Sequence, residues 1–336
     1  MQVREIVKCS LCGREAVFYQ AFTNKYLCRE CFIEDVRKRI ANEVKDKRMF
    51  SERDNLLLAI SGGKDSFVLL DAVSHFHPSS KIIALSIVEG IPGYNRQEYI
   101  ERIKKYTKER GIDTVITSIK EFVGYSLGEI VEKSREMGIE LSPCTYCGSL
   151  RRRIINVYAR ELGADRTLTA HNLDDEVQTV FMNILRGDPE RLLRQHPLSP
   201  KLSDKLVQRV KPLRKIYEYE AAFYAYLLGF KFQETECPYI IYQPTLRARI
   251  RHWLYMLERE APGVELRILE FFDNLLLDRT NKLKELNSLP TCRICGEPTS
   301  IGRDVCKLCE MLEKAGIEPK YNYPKHMGKW RAKGEG

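Results

Sequence analysis

No apolar run in these 336 residues reaches the ~18 residues of a membrane-spanning helix. The N-terminus carries charge and cysteine where a signal peptide would carry an apolar core, so a cytoplasmic chain with no membrane partner is expected. The composition of a disordered chain is also missing: with 43% hydrophobic and 30% charged residues, the sequence is that of a globular protein. Its length exceeds one average domain and suffices to bury a sizeable core. No Gly-x-x-x-x-Gly-Lys-Ser/Thr spacing occurs, which excludes a Walker A phosphate loop.

What the sequence does contain is cysteine, eleven in all. Cys9-x-x-Cys12 with Cys28-x-x-Cys31, and Cys292-x-x-Cys295 with Cys306-x-x-Cys309, are two pairs of knuckles. This spacing wraps four thiolates around Zn²⁺. Gly13 and Gly296 follow the first knuckle of each set, where the chain must turn beneath the metal. Four thiolates leave no open position, so a structural or RNA-contacting role is expected rather than catalysis. Cys144, Cys147 and Cys237 remain. Three thiolates without a fourth ligand suit a [4Fe–4S] cluster with one open iron, or a redox pair plus one thiol. Inert buried cysteines are the plain alternative. Spacing alone does not bring Cys237 to the Cys144/Cys147 pair.

Ser61-Gly62-Gly63-Lys64-Asp65-Ser66 follows the apolar run 56–60 directly. A buried strand that breaks into two glycines and opens a helix presents a nest of backbone N–H groups, a site for phosphate. Around it, short apolar runs alternate with amphipathic segments. Strands are expected at 56–60, 81–88, 113–119, 166–170 and 206–210. Helices are expected at 64–75, 96–110, 127–137, 147–162 and 173–186. This is the βαβ pattern of an α/β fold, a parallel sheet with helices on both faces. Stretch 32–50 reads as a charged connecting helix, 187–200 as a loop with three prolines, and 217–228, 245–260 and 264–283 as a helical C-terminal region. Tyr224, Trp253 and Phe271 in that region read as core, with base-stacking platforms as the alternative. The expected units are a zinc module at 1–35, a connecting helix at 36–54, a catalytic domain at 55–285, a second module at 286–315 and a basic tail at 316–336.

Ligands of open parallel sheets sit at the carboxyl ends of the strands, and a second strand-to-helix turn falls there. It reads His171-Asn172-Leu173-Asp174-Asp175-Glu176. Asp and Glu in a first turn ordinarily answer the helix dipole. Beside a phosphate nest, a carboxylate holds Mg²⁺ on a triphosphate or orients an attacking group. Asp175 is the first choice and Asp174 the second. Arg151, one turn beyond Cys147, is placed to reach the same cleft, whereas Arg152 and Arg153 read as a basic helix face. The net charge of +9 gathers at 37–39, 45–48, 151–153 and 325–333. Such an excess attracts polyanions, nucleic acid first; a solvated Lys/Glu-rich surface is the alternative. Tyr321, Tyr323 and Trp330 lie among the lysines of the tail, which either packs on the domain or contacts RNA.

Taken in order, the knuckles at 9–31, Ser-Gly-Gly-Lys-Asp-Ser at 61–66, Pro-Cys-x-x-Cys at 143–147, His-Asn-Leu-Asp-Asp-Glu at 171–176, Cys237 and the second knuckle set resemble the tRNA 2-thiolation enzymes of the TtcA/TtuA family. These are PP-loop, N-type ATP pyrophosphatases. Four-cysteine modules at both ends resemble the branch acting on 5-methyluridine 54; the wobble uridine-34 thiolases share much of the layout. Ala170 departs from the glycine usual at its place, and Arg151 stands where relatives can carry lysine. The resemblance implies ATP over Ser61, Gly62, Gly63, Lys64, Asp65 and Ser66, with its adenine near Ile87 and with Ala170 and Asp175 also bordering the nucleotide. It implies that the uridine C2 oxygen is adenylated and replaced by sulfur. The catalytic set it implies is Cys144, Cys147, Cys237, Asp175 and Arg151, with the three cysteines holding a [4Fe–4S] cluster. A cluster-free persulfide route is the alternative. The implied partners are tRNA, a ubiquitin-like sulfur carrier with a C-terminal thiocarboxylate, and a second copy of the chain.

Overall fold

The computed structural model describes residues 6–94, 97–197, 202–240, 245–280 and 289–324. The basic stretch 325–333 with Trp330 lies outside them. A hairpin of β1 (Phe18–Gln20) and β2 (Lys25–Leu27) leads into helix α1 (Arg29–Asp46). Then come β3 (Leu56–Ala59), α2 (Lys64–Ser74), β4 (Ile82–Val88), α3 (Gln97–Glu109) and β5 (Asp113–Ser118). Helices α4 (Ile119–Val123), α5 (Leu127–Glu136) and α6 (Pro143–Leu162) precede β6 (Arg166–Leu168), α7 (Leu173–Leu185), α8 (Pro189–Gln195) and β7 (Gln208–Val210). The rest is helical: α9 (Glu218–Leu227), α10 (Leu246–Glu260), α11 (Val264–Thr280) and α12 (Lys307–Lys314).

Strands β3 to β7 form one five-stranded sheet in the order β5-β4-β3-β6-β7. Every pairing in it is parallel. Both faces are covered, which is why the strands read as continuous apolar runs. Leu56 and Leu58 point into the core shared with α1, α2 and α9. Leu57, Ile83 and Leu85 pack instead on Ile155, Ala159 and Leu162 of α6. The chain steps outward from β3 to β5, then crosses back to lay β6 on the other side of β3. That reversal opens a crevice at the carboxyl ends of β3 and β6.

Four expectations change. Helix α1 begins at Arg29, so Cys31 lies in its first turn, and Phe32, Val36, Ile40 and Val44 form a buried stripe in the main core. It is a core helix, and the cations counted at 37–39 partly turn inward: Arg37 pairs with Asp71 and Arg39 with Glu220. Within 187–200, α8 replaces the expected loop, because Pro189 occupies the first helical position and Asp188 caps the amide of Arg191 at 3.0 Å. Helix α6 likewise starts with Pro143 at its first position, without a side-chain cap from Ser142, which puts both Cys144 and Cys147 in its first turns. Tyr224 is buried as expected, but Trp253 is 48% and Phe271 67% exposed. Helices α10 and α11 each carry two apolar stripes, and Ile250, Leu254, Leu269, Phe272 and Leu276 are the ones that enter the core.

Arg214, 1% exposed, ties three distant segments together. It donates to Glu43 on α1 at 2.9 Å and to both carboxylate oxygens of Asp273 on α11 at 2.7 and 2.6 Å. Burial works against a charge at Asp273, yet Arg214 and Lys47 hold its carboxyl below the usual range. Removing one member of such a buried pair leaves the other uncompensated. Asp273→Ala is therefore expected to cost about 3–5 kcal/mol in denaturant unfolding, and a loss under ~1 kcal/mol would show that Glu43 alone suffices to compensate Arg214.

Candidate active site

The first wall of the crevice is the loop after β3. Gly62 has φ +83°, a conformation that side-chain-bearing residues rarely adopt, and its carbonyl accepts the amide of Gln233 at 2.9 Å. Ser61 Oγ accepts the Gly63 N–H at 3.3 Å, and Ser66 Oγ donates to the Gly63 carbonyl at 2.7 Å. The loop is thus held at the N-terminus of α2, where the Lys64 and Asp65 amides, unlike those of Gly63 and Ser66, are available to an anion. Lys64 Nζ lies 3.0 Å from Asp65 and 3.1 Å from Glu218. The other Asp65 oxygen is buried with no hydrogen-bond partner among the described residues.

The loop after β6 forms the second wall. Asn172 caps α7 through the Asp175 amide at 3.0 Å. Asp174 accepts the Glu218 amide at 2.7 Å, and Asp175 pairs with Arg247 at 3.1 Å. Burial pushes the Asp174 carboxyl up to about 6, despite the Glu218 amide. Asp65 and Asp175 are raised by burial as well, against the pull of Lys64 and Arg247. Asp65, Asp174 and Asp175 thus place raised carboxyls beside the phosphate nest, though their oxygens do not gather within 4.8 Å as the knuckle thiols do. His171 hydrogen-bonds Thr169 Oγ1 at 2.9 Å; its pKa is lowered by burial and then by Lys211, Arg209 and Arg247. Ala170 packs against the main core. Ile87 sits at the carboxyl end of β4 beside Thr117, against two of the hydrophobic clusters.

The third wall is sulfur. Cys237 lies in an irregular strap after α9 that Gln233 and Thr235 fasten down. Gln233 binds Gly62 through its amide and the Tyr94 carbonyl at 3.2 Å through its side chain, and Thr235 contacts Tyr99 at 3.2 Å. The strap brings Cys237 to Cys144 and Cys147: burial first, and then the charge of Cys237 among others, raises the pKa of those two thiols. Burial, opposed by Arg151, pushes the Cys147 thiol up to about 11, so a bound metal is what would hold it as thiolate. Arg151 reaches Glu89 at 3.6 Å. The three thiols do not gather within 4.8 Å as the knuckles do, and they offer three ligands rather than four. That set fits a group broader than a single ion, with one position left open.

In each knuckle set the four Sγ atoms lie within 4.8 Å of one another. The pairs Cys12–Cys28, Cys295–Cys306 and Cys292–Cys309 stand 3.6, 3.7 and 3.9 Å apart. A tetrahedron with ~2.3 Å Zn–S bonds has edges of ~3.8 Å, so both sets fit zinc. Arg153, expected on a plain basic face, instead donates to Cys295 Sγ at 3.0 Å and Cys306 Sγ at 3.5 Å. Sequence reasoning also missed Glu89, Gln233, Glu218 and Arg247. Glu89 directly follows β4, so the strand-end rule had the means to find it. Nothing local marks the other three.

A parallel sheet with Ser-Gly-Gly-Lys-Asp-Ser at the end of β3 has the layout of a PP-loop domain, and a family model described as a PP-loop domain matches residues 33–257. A second, described as the N-terminal LIM domain of the 2-thiouridine synthetase TtuA, matches residues 8–33. A "probable sulfurtransferase" of Methanocaldococcus jannaschii is 34% identical, with 93% of this chain and 89% of that protein covered. The tRNA-5-methyluridine(54) 2-sulfurtransferase of Pyrococcus horikoshii is 32% identical over 94% of this chain and 96% of that one. Among solved structures, the U34-tRNA thiolase NcsA of Methanococcus maripaludis with its [4Fe-4S] cluster superposes with TM-score 0.75 at 31% identity, covering 94% and 99% of the two chains. The chain belongs to the PP-loop family of tRNA 2-thiolation sulfurtransferases.

Glu265 closes the crevice floor; burial, then Asp174, Glu258 and Glu218, raise its carboxyl from 4.5 to about 8. A carboxyl raised in the folded state favours folding while protonated, and this contribution fades as pH rises through about 8. Without Mg²⁺, Glu265→Gln should melt above the parent at pH 9 and alongside it near pH 4; equal melting curves at both would mean the group is ordinary. Metal analysis should find two zinc ions per chain, and Cys306→Ser should lose one of them while keeping the N-terminal one.

Proposed function

We propose that this protein activates the C2 oxygen of a tRNA uridine with ATP and replaces it with sulfur. One observation carries the reading: the phosphate nest, the Asp174/Asp175 loop and the Cys144/Cys147/Cys237 trio, drawn from across the sequence, meet at one crevice. The backbone of Gly62 and Gly63, with Ser61, Lys64 and Ser66, holds the ATP phosphates, and the adenine lies toward Ile87 and Ala170. Asp65, Asp174 and Asp175 take Mg²⁺ on the triphosphate. The uridine C2 oxygen attacks the α-phosphorus and pyrophosphate leaves, taking the electrons of the broken P–O bond. Sulfur then adds at C2, and AMP departs with the former oxygen. Arg151, held beside Cys147 by Glu89, steadies the developing negative charge on the adenylated base. A [4Fe–4S] cluster on Cys144, Cys147 and Cys237 would supply an open iron position for the incoming sulfide; the cluster in the solved thiolase supports this.

Uridine 54 is the proposed position, supported by the TtuA-type N-terminal module. The wobble uridine is a second reading, favoured by the likeness to the U34 thiolase. A ubiquitin-like thiocarboxylate carrier as sulfur source and a cytoplasmic location, where tRNA is, complete the proposal. So does assembly as a homodimer, for which exposed Trp253, Phe271 and Leu275 offer apolar surface.

Protein purified without oxygen should carry about four irons and a broad band near ~400 nm. Cys144→Ser, Cys147→Ser and Cys237→Ser should each lose the band and thiolate tRNA at least ~100-fold more slowly, with ATP binding retained. Full thiolation by iron-free protein would replace the cluster by persulfide chemistry. Nuclease mapping of the thiolated product decides between the two uridines.

A further inference from the structure

A cavity of about 950 Å³ opens beside the crevice, bounded by α6, α7, α8 and β7. None of residues 61–66 lines it, so it is not the nucleotide site. Its lining is heavily cationic, with Arg152, Arg186, Arg191, Arg209, Lys211 and Lys307 among the positive side chains. Glu176 is the one carboxylate that lines it among the described residues, and it already pairs with Lys211 at 2.5 Å. Arg152, Arg186 and Arg209 have no carboxylate within ion-pair reach among the described residues. Arg152 and Arg209 are exposed at the cavity rim and Lys211 is partly buried; the partial desolvation of the rim, then Arg209, Arg151 and Arg191, lowers the Arg152 pKa. Like charges in a partly desolvated cleft repel, and an anion would relieve them.

Two buried oxygens that border this space have no partner either: Thr167 Oγ1, on a residue 2% exposed, and Glu176 Oε2, on a residue 1% exposed. The volume stands at the top of the ~300–1,000 Å³ of small-ligand sites, room for more than one phosphate. A second cavity of about 310 Å³ shares Ser149, Arg152 and Asn156 with it and runs on to Cys306 of the C-terminal knuckle set. The two form a groove from that module to the sheet edge. At its inner end Thr179 touches Arg247, which holds Asp175, while Thr145 stands next to Cys144. Anything threaded along the groove arrives between the carboxylate loop and the cysteines.

We propose that this groove seats the sugar–phosphate backbone flanking the reacting uridine, so that the C-terminal module borders the RNA path. The inference rests on the tRNA-modifying reading above and adds where, and by which residues, the RNA is gripped. Backbone neutralisation by arginine makes binding salt-dependent, with a slope of ~0.7–0.9 in log K against log salt per phosphate contact.

The test titrates an unmodified tRNA transcript against the full chain over a range of salt, with Mg²⁺-ATP binding and thermal melting measured in parallel. Arg152→Gln/Arg209→Gln should lower the slope by about 1.4–1.8 and weaken binding about tenfold or more at low salt. Lys104→Glu on α3, which does not line the groove, should keep the parental slope. Parental slope and affinity in the double variant would overturn the groove while leaving tRNA thiolation standing. No tRNA binding by the unaltered protein would overturn both. If the double variant melts early or loses ATP binding, the exposed pair Arg186→Gln/Arg191→Gln decides by the same slope.

Discussion

Everything at the crevice depends on how helix α6 is seated. Ile155, Ala159 and Leu162 anchor its C-terminal half to the sheet, and Leu150 and Ile154 join the cluster beneath the C-terminal module. With the axis fixed, successive residues of the other half serve different neighbours. Cys144 and Cys147 look to the strap, Arg151 to Glu89, Arg152 to the cationic groove and Arg153 to the thiolates of Cys295 and Cys306. At 3.6 residues per turn, three consecutive arginines cannot share a face. The run 151–153 therefore distributes one charge to each of three sites.

The same logic separates cations that hold the fold from cations that face outward. Arg37, Arg39 and Arg214 are fixed on Asp71, Glu220 and Asp273. They stabilise the junction of α1 with α2, α9 and α11 and contribute little to the outer field. The groove cations have few acids near them, so among the described residues they form a cationic lining where the sheet edge meets the C-terminal module. A net charge counted along the sequence sums both groups and distinguishes neither.

Local chemistry made much of the fold legible. Apolar runs flanked by amphipathic segments gave the parallel strands to within a residue or two. A proline at the first position of a helix was harder, because the same residue also marks loops; hence α8 and the start of α6. Trp253 and Phe271 were misplaced because a helix with two apolar stripes does not announce which one is buried. The knuckles were readable since the ligand spacing is itself the geometry of the metal.

By itself, the sequence determined the features whose physics is local: the phosphate nest at 61–66, the capped carboxylate turn at 172–176, the two thiolate knuckles and the alternation that builds the sheet. Only the tertiary structure decided which of these meet. Cys237 reaches Cys144 because Gln233 pins the strap to the carbonyl of Gly62. Asp175 meets Arg247, and Lys64 meets Glu218, through helices packed from far along the chain. Such contacts rest on strand order and helix docking, which arise from burying many side chains at once, so no short stretch of sequence encodes them.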